Sequence, residues 1–353
     1  MGDGRRDVMR RTSRPWRSLL LTIAALAALP GGAAQTPPSK SKGISKAQEA
    51  ATTLPPVLWR DPGNISSLDV ADGPGGKTHA PAARSKYKFL KEDTNGTSTK
   101  FYVEDAAGVK WLVKVGKEAR PETAATRLVW AMGYFADEDY YLPTIQVTGM
   151  PKLQRPSQSI AANGTVTGAR LKRQIPGQKN IANWSWFSNP FSDTREFNGL
   201  RVLMALLNNW DLLKANNKVY LEPGIERRFL VSDLGASFGK TGGTAARSKG
   251  VLKDYAKAKF IERADPDTVD FVMATKLFPL MAVATPGDYA QRKKMVSIGK
   301  NIPRADVQWI AHRLSQLTPQ QIRDAFRTAG YTPAEVEGYA RAVEARIAAL
   351  REL

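Results

Sequence analysis

The chain has 353 residues, 42% hydrophobic and 24% charged, enough for a sizeable core in one two-part domain or two small ones. Its net charge of +19 favours anionic partners (nucleotide phosphates, acidic surfaces, cell-envelope polymers or nucleic acid) without choosing among them. The lack of cysteine excludes disulfides, thiolate metal sites and cysteine nucleophiles, and with only His79 and His312 a multi-histidine metal centre is disfavoured.

Arg5, Arg6, Arg10, Arg11, Arg14 and Arg17 make a basic start, residues 19–29 a short apolar run, and Gly32, Ala33 and Ala34 a small-residue exit. That is the pattern of an export signal over residues 1–34. The run is short for a bilayer span, and no later stretch resembles a transmembrane helix, so a periplasmic or extracellular protein is expected. Residues 35–57, rich in Pro, Ser and Lys, read as a flexible linker. Residues 58–84 read as a loop-rich extension packed on the domain through Leu58, Trp59, Ile65 and Leu68, with His79 at the surface.

From residue 87 the pattern turns to strands, at 87–90, 100–104 and 110–115, the last two alternating as hairpin strands with one face buried. The turn carrying Gly96, Thr97 and Ser98 has backbone N–H groups able to cradle phosphates, or is an ordinary hairpin turn. Lys114 lies between Val113 and Val115, either solvated on the outer face or paired with a carboxylate. Glu122, in the first turn of a helix expected over 122–134, either complements the helix dipole or supplies that partner. Strands follow at 140–147 and 169–174, with an exposed loop between them. Trp184, Trp186, Phe187 and Phe191 read as packing residues.

The most informative stretch begins at residue 193. A helix with an apolar stripe (Leu200, Leu203, Met204, Leu207) ends at Asn208 and Asn209, followed by Asp211, then Asn216, a hairpin pairing 218–221 with 228–231, and Asp233. Phosphoryl transfer needs an aspartate to orient or deprotonate the attacking hydroxyl, and an asparagine and a second aspartate to hold Mg²⁺ on the phosphates. Residues 236–250 read as a mobile segment beside the site. The remainder reads as mainly helical, over 269–278, 304–314, 319–329 and 333–350. Thr318-Pro319 and Thr332-Pro333 look like helix starts, and His312 lies on a helix surface.

These residues together resemble the protein-kinase-like superfamily in its atypical branches: the HipA-type serine kinases, the phosphatidylinositol kinases, and secreted or spore-coat kinases of the CotH and Golgi casein kinase type. The resemblance covers roughly residues 85–350. It implies an α+β, bilobal fold, with a small β-rich lobe over 85–150, a larger mainly helical lobe over 151–353, and nucleotide between them. It also implies ATP and Mg²⁺ as cofactors, Lys114 with Glu122 and the Gly96–Thr97–Ser98 turn on the nucleotide, Asp211 as the catalytic aspartate, and Asn216 and Asp233 on the metal. Asn217 is the alternative register for Asn216. Here the glycine-rich loop is reduced to Gly96, and Trp210 stands where the family has arginine before its aspartate.

The function so implied is an exported phosphotransferase that modifies a hydroxyl of a protein or envelope component. A nucleotidyl transferase using the same ligands, and a non-catalytic module docking on an anionic envelope surface, are the alternatives. Nucleic acid is disfavoured, since no recognition motif accompanies the charge.

Overall fold

The computed structural model describes residues 53–82, 85–222, 224–241, 247–273, 283 and 286–353. The export signal, most of the linker, and residues 242–246 of the segment expected to be mobile lie outside the described residues.

A two-residue strand β1 (Pro56–Val57) leads into short 3₁₀ turns, then β2 (Lys86–Asp93), β3 (Lys100–Glu104), β4 (Lys110–Lys114), helix α1 (Ala119–Ala131), β5 (Asp139–Thr148) and β6 (Thr165–Arg173). Strands β2 to β6 close a barrel in the order β2-β3-β4-β6-β5, sealed by parallel pairing of β2 with β5. Alternation along β3 and β4 sends Phe101, Val103, Trp111 and Val113 into the barrel, where they meet Ala169 and Leu171 of β6. The β3–β4 turn is fixed by Asp105, whose carboxylate accepts from the Ala107 and Val109 N–H groups and from Trp111 Nε1.

On the opposite face of β4, Leu112 and Lys114 are also buried, and that face carries charge. Lys114 is the register partner of Arg170, and Leu112 of Lys172. Helix α1 lies nearby, with Ala124, Ala125, Leu128 and Val129 in the main core and Glu122 buried among them.

The chain continues through β7 (Lys179–Ala182), α2 (Arg195–Leu206), β8 (Asn217–Glu222) and β9 (Glu226–Val231). These strands form a sheet in the order β1-β9-β8-β7, with β1 parallel to β9. Then come α3 (Leu252–Lys257), β10 (Ile261–Ala264), β11 (Thr268–Phe271), α4 (Pro286–Val296), β12 (Ile302–Pro303), α5 (Arg304–Leu314), α6 (Pro319–Arg327) and α7 (Pro333–Arg351). The fold is α+β. Both expected helix starts are full capping boxes, Thr318 with Gln321 and Thr332 with Glu335. Trp184 and Trp186 pack on Phe197 in the core, while Phe187 is exposed.

Three expectations need correction. Within the helix expected over 269–278, residues 269–271 belong to a strand, because Val269 and Phe271 bury in a three-stranded sheet with β10 and β12, and pairing decides where an apolar run of ambiguous period does not; residues 274–278 lie outside the described residues. The barrel does not end at residue 150, since β6 supplies the strand between β4 and β5. The stretch read as linker ends inside the fold: Pro56 and Val57 pair with Arg227 and Arg228, and the Leu54 carbonyl accepts from Arg227 Nε.

Candidate active site

The loop after α2 is anchored from below. Helix ends leave carbonyls without intrahelical partners, and here buried Arg346 of α7 fills that role. Its Nη1 donates to the Ala205 and Leu206 carbonyls and its Nη2 to those of Tyr255 and Ala258. Asn208 then takes a left-handed φ of 54° and donates to the Gly239 carbonyl at 2.7 Å, which joins the loop to the segment following Asp233. Asn209 Oδ1 accepts the Asp211 N–H at 3.0 Å, and Asn216 Nδ2 donates to the Asp211 carbonyl at 2.7 Å. The Asn216 backbone carbonyl in turn accepts from the N–H groups of Ser232 and Asp233. One network therefore sets the positions of Asp211, Asn216 and Asp233. Of the two register alternatives, Asn216 lines the cleft, whereas Asn217 is buried and donates to the Trp184 carbonyl at 3.0 Å.

Lys114 is the centre of charge. Its side chain is 3% exposed, and Nζ lies 2.7 Å from Glu122 Oε2, 3.1 Å from Asp233 Oδ1 and 3.2 Å from Glu118 Oε2. Burial works against its charge, but Glu122, Asp233 and Glu118 raise its pKa above the ordinary lysine value. Asp233 answers in kind. Burial pulls its carboxyl up, yet Lys114, by charge and hydrogen bond, and the Gly235 N–H bring it down to about 2. The Asp211 carboxyl is raised, by burial first and by the Asp233 charge, against a lowering hydrogen bond from Asn216.

Behind Glu122 a second layer fixes its orientation. Arg170 Nη2 donates to Glu122 Oε1 at 2.9 Å, and Arg170 Nη1 sits 3.5 Å from Asp139 Oδ1, all three side chains at most 2% exposed. Thr126 donates to the other Asp139 oxygen at 3.1 Å. Arg170→Met leaves buried Asp139 without its ion-pair partner and Glu122 with Lys114 alone, and should cost about 3–5 kcal/mol of stability, read from the midpoint of denaturant unfolding. A variant as stable as wild type would mean that the triad contributes nothing to the fold.

Lys114, Glu122, Arg170, Asn216 and Asp233 share a polar cleft of about 520 Å³ with Gly96 of the β2–β3 turn. Lys172, also on its wall, meets Asp137 Oδ2 at 3.2 Å, and Asp137 accepts from Ser232 at 2.5 Å and from Tyr220 at 3.2 Å. Ser98 turns instead to Glu118, donating at 2.7 Å, while Thr97 is exposed at the turn. A roomier groove of about 720 Å³ under residues 146–164 offers Lys152 alone as a charged lining residue. The cleft near Asp233 is where the chemistry gathers.

An Asp233 carboxylate 38% exposed beside the amide of Asn216 is an all-oxygen donor pair of the kind a hard dication takes, because the Asn216 amide nitrogen is already committed to Asp211. The chain's residues therefore fit Mg²⁺. Sequence reasoning missed Glu118, Arg170 and Lys249. Lys249 pairs with Glu118 and, with Arg247, lies over the Trp210 ring at 5.4 Å and 4.2 Å. Trp210 Nε1 donates to the Ser248 carbonyl at 2.9 Å, so the residue that departs from the family pattern ties down the segment beyond Asp233. His79 is at the surface, 3.0 Å from Glu138, and His312 is exposed on α5.

No family model matches the chain, and no curated protein does. Among solved structures it is similar to the Helicobacter pylori proinflammatory kinase CtkA, with 9% identity, 76% of this chain and 97% of that one covered, and a TM-score of 0.42. It is also similar to the Golgi casein kinase with Mn/ADP bound, with 10% identity, 77% and 72% covered, and a TM-score of 0.37. A further structure of the Golgi casein kinase gives 9% identity, 77% and 73% covered, and a TM-score of 0.32.

Proposed function

We propose that this chain is an exported, kinase-like phosphotransferase that uses Mg-ATP to modify a hydroxyl group of a protein or cell-envelope acceptor. In this reading the barrel with α1 is the small lobe, the remainder is the larger lobe, and nucleotide enters the cleft between them. The observation that carries it is Lys114 bonded to Glu122 and Asp233 together, on the wall of a cleft that Asn216 also lines.

Lys114, held by Glu122 and backed by Arg170, presents a fixed cation to nucleotide phosphates. Asn216 and Asp233 would hold Mg²⁺, which when bound neutralises charge on the phosphates. Asp211 orients the acceptor hydroxyl and takes its proton, and a carboxyl raised by burial is the better base for that task. The rest is positioning.

Thermal melting tests the reading. Ligand binding to the folded state alone raises the melting temperature by mass action, about 2.7 kcal/mol of stabilisation at one hundred times Kd. Wild-type protein should shift with Mg-ATP, and neither Lys114→Ala nor wild type without Mg²⁺ should do so. No shift at millimolar Mg-ATP would remove the nucleotide site and with it the proposal.

A further inference from the structure

Glu118 has an unusual set of neighbours for a carboxylate at the start of a helix. It makes no capping bond to α1, although it is the residue preceding its first turn. Instead its two oxygens gather donors from three separate parts of the chain. Ser98 Oγ, from the β2–β3 turn, donates to Oε2 at 2.7 Å. Lys114 Nζ, from β4, lies 3.2 Å from the same oxygen. Lys249 Nζ, from the segment beyond Asp233, donates to Oε1. The Glu118 stem lies against the backbone that follows Asp233, so close that a Cβ on Gly235 would come within 2.7 Å of its own Cβ. The side chain is 14% exposed.

Two ammonium groups and a hydroxyl converging on paired oxygens are the donors that recognise a phosphoryl group. In this chain those donors already hold an anion, and the anion is part of the protein. Glu122 and Arg170 make the contrast plain. Buried Glu122 orients Lys114 from behind with its own arginine, whereas Glu118 draws on Ser98 and Lys249, which do nothing for Glu122.

We infer that Ser98, Lys114 and Lys249 form the seat for the terminal phosphates of the nucleotide, and that Glu118 occupies this seat until nucleotide displaces it. The inference rests on the function proposed above. It adds Lys249 to the nucleotide-binding residues and makes Glu118 a built-in competitor that sets affinity.

The test is calorimetric titration of Mg-ATP and of AMP into wild type, Glu118→Gln and Lys249→Gln. Glutamine keeps the shape of Glu118 and an acceptor for Ser98 but removes the competing charge. Glu118→Gln should bind Mg-ATP about tenfold more tightly, equivalent to roughly 1.4 kcal/mol. Lys249→Gln should bind it more weakly, and AMP, which lacks the terminal phosphates, should bind all three alike. Melting of the unliganded variants separates these changes from loss of fold. Mg-ATP binding to Glu118→Gln that is no tighter than to wild type, or tightening that extends equally to AMP, overturns the inference and leaves the phosphotransferase reading standing. Failure of all three proteins to bind either nucleotide overturns both.

Discussion

Asp233→Ala should abolish the proposed Mg²⁺-dependent nucleotide binding and lower the proposed phosphoryl transfer by about 10²–10³-fold or more, while the protein stays folded. The side chain is more than a third exposed, and its fixed contacts are two, Lys114 Nζ at 3.1 Å and the Gly235 N–H at 3.2 Å. Its removal leaves Lys114 with Glu122 and Glu118, so no buried cation is stranded. The loop also keeps its shape, because the bond tying this position to Asn216 runs through backbone N–H. Calorimetric titration with and without Mg²⁺, alongside circular dichroism, checks it. Nucleotide affinity equal to that of wild type would sink the metal assignment.

Asp211→Ala should behave in the opposite way, keeping nucleotide binding and losing the proposed transfer by about 10²–10⁴-fold, the range for a positioned general base. Here the separation of roles is built into the hydrogen bonds. Asn216 Nδ2 bonds the Asp211 backbone carbonyl at 2.7 Å, a contact that alanine also supplies, so the substitution leaves that anchor of the Asn216 amide in place. Asn209 holds the Asp211 N–H, which alanine also supplies. Single-turnover transfer to any hydroxyl acceptor, measured beside a nucleotide titration, distinguishes the two effects. Wild-type transfer in the variant would remove Asp211 from the reaction, and loss of nucleotide binding would show that its side chain serves the other site.

The parts of the site that were legible in the sequence are those fixed locally. Asn216 follows Asp211 by a single short loop, and both lie on one hydrogen-bond network with Asp233 across the β8–β9 hairpin. The capping boxes at Thr318 and Thr332 are local in the same sense, since three residues carry the signal and the structure. Lys114 and Glu122 could be paired because a strand and the helix after it are adjacent in the chain.

What could not be read is what depends on the barrel. Arg170 and Lys172 alternate with Ala169 and Leu171, which looks like a half-solvated strand. They are buried because β6 inserts between β4 and β5 and places them opposite Lys114 and Leu112, a register that no local pattern announces. Glu118 and Lys249 are 131 residues apart, and nothing in either neighbourhood marks the other. The strand at 268–271 was hidden for the same reason, since its partners come from both sides in the chain.

Arg346 carries a consequence for how the protein reaches its working form. The bonds that seat the end of α2 span 140 and 141 residues, whereas the barrel closes through pairings from a single contiguous stretch of chain. Contacts between distant residues bear a larger loop-closure cost and tend to form late. Refolding should therefore give a barrel with Trp111 already shielded before α7 docks, and only then a loop in which Asp211 is held. Burial of Trp111 should precede that of Arg346, and the lag is the time that one helix takes to deliver one arginine.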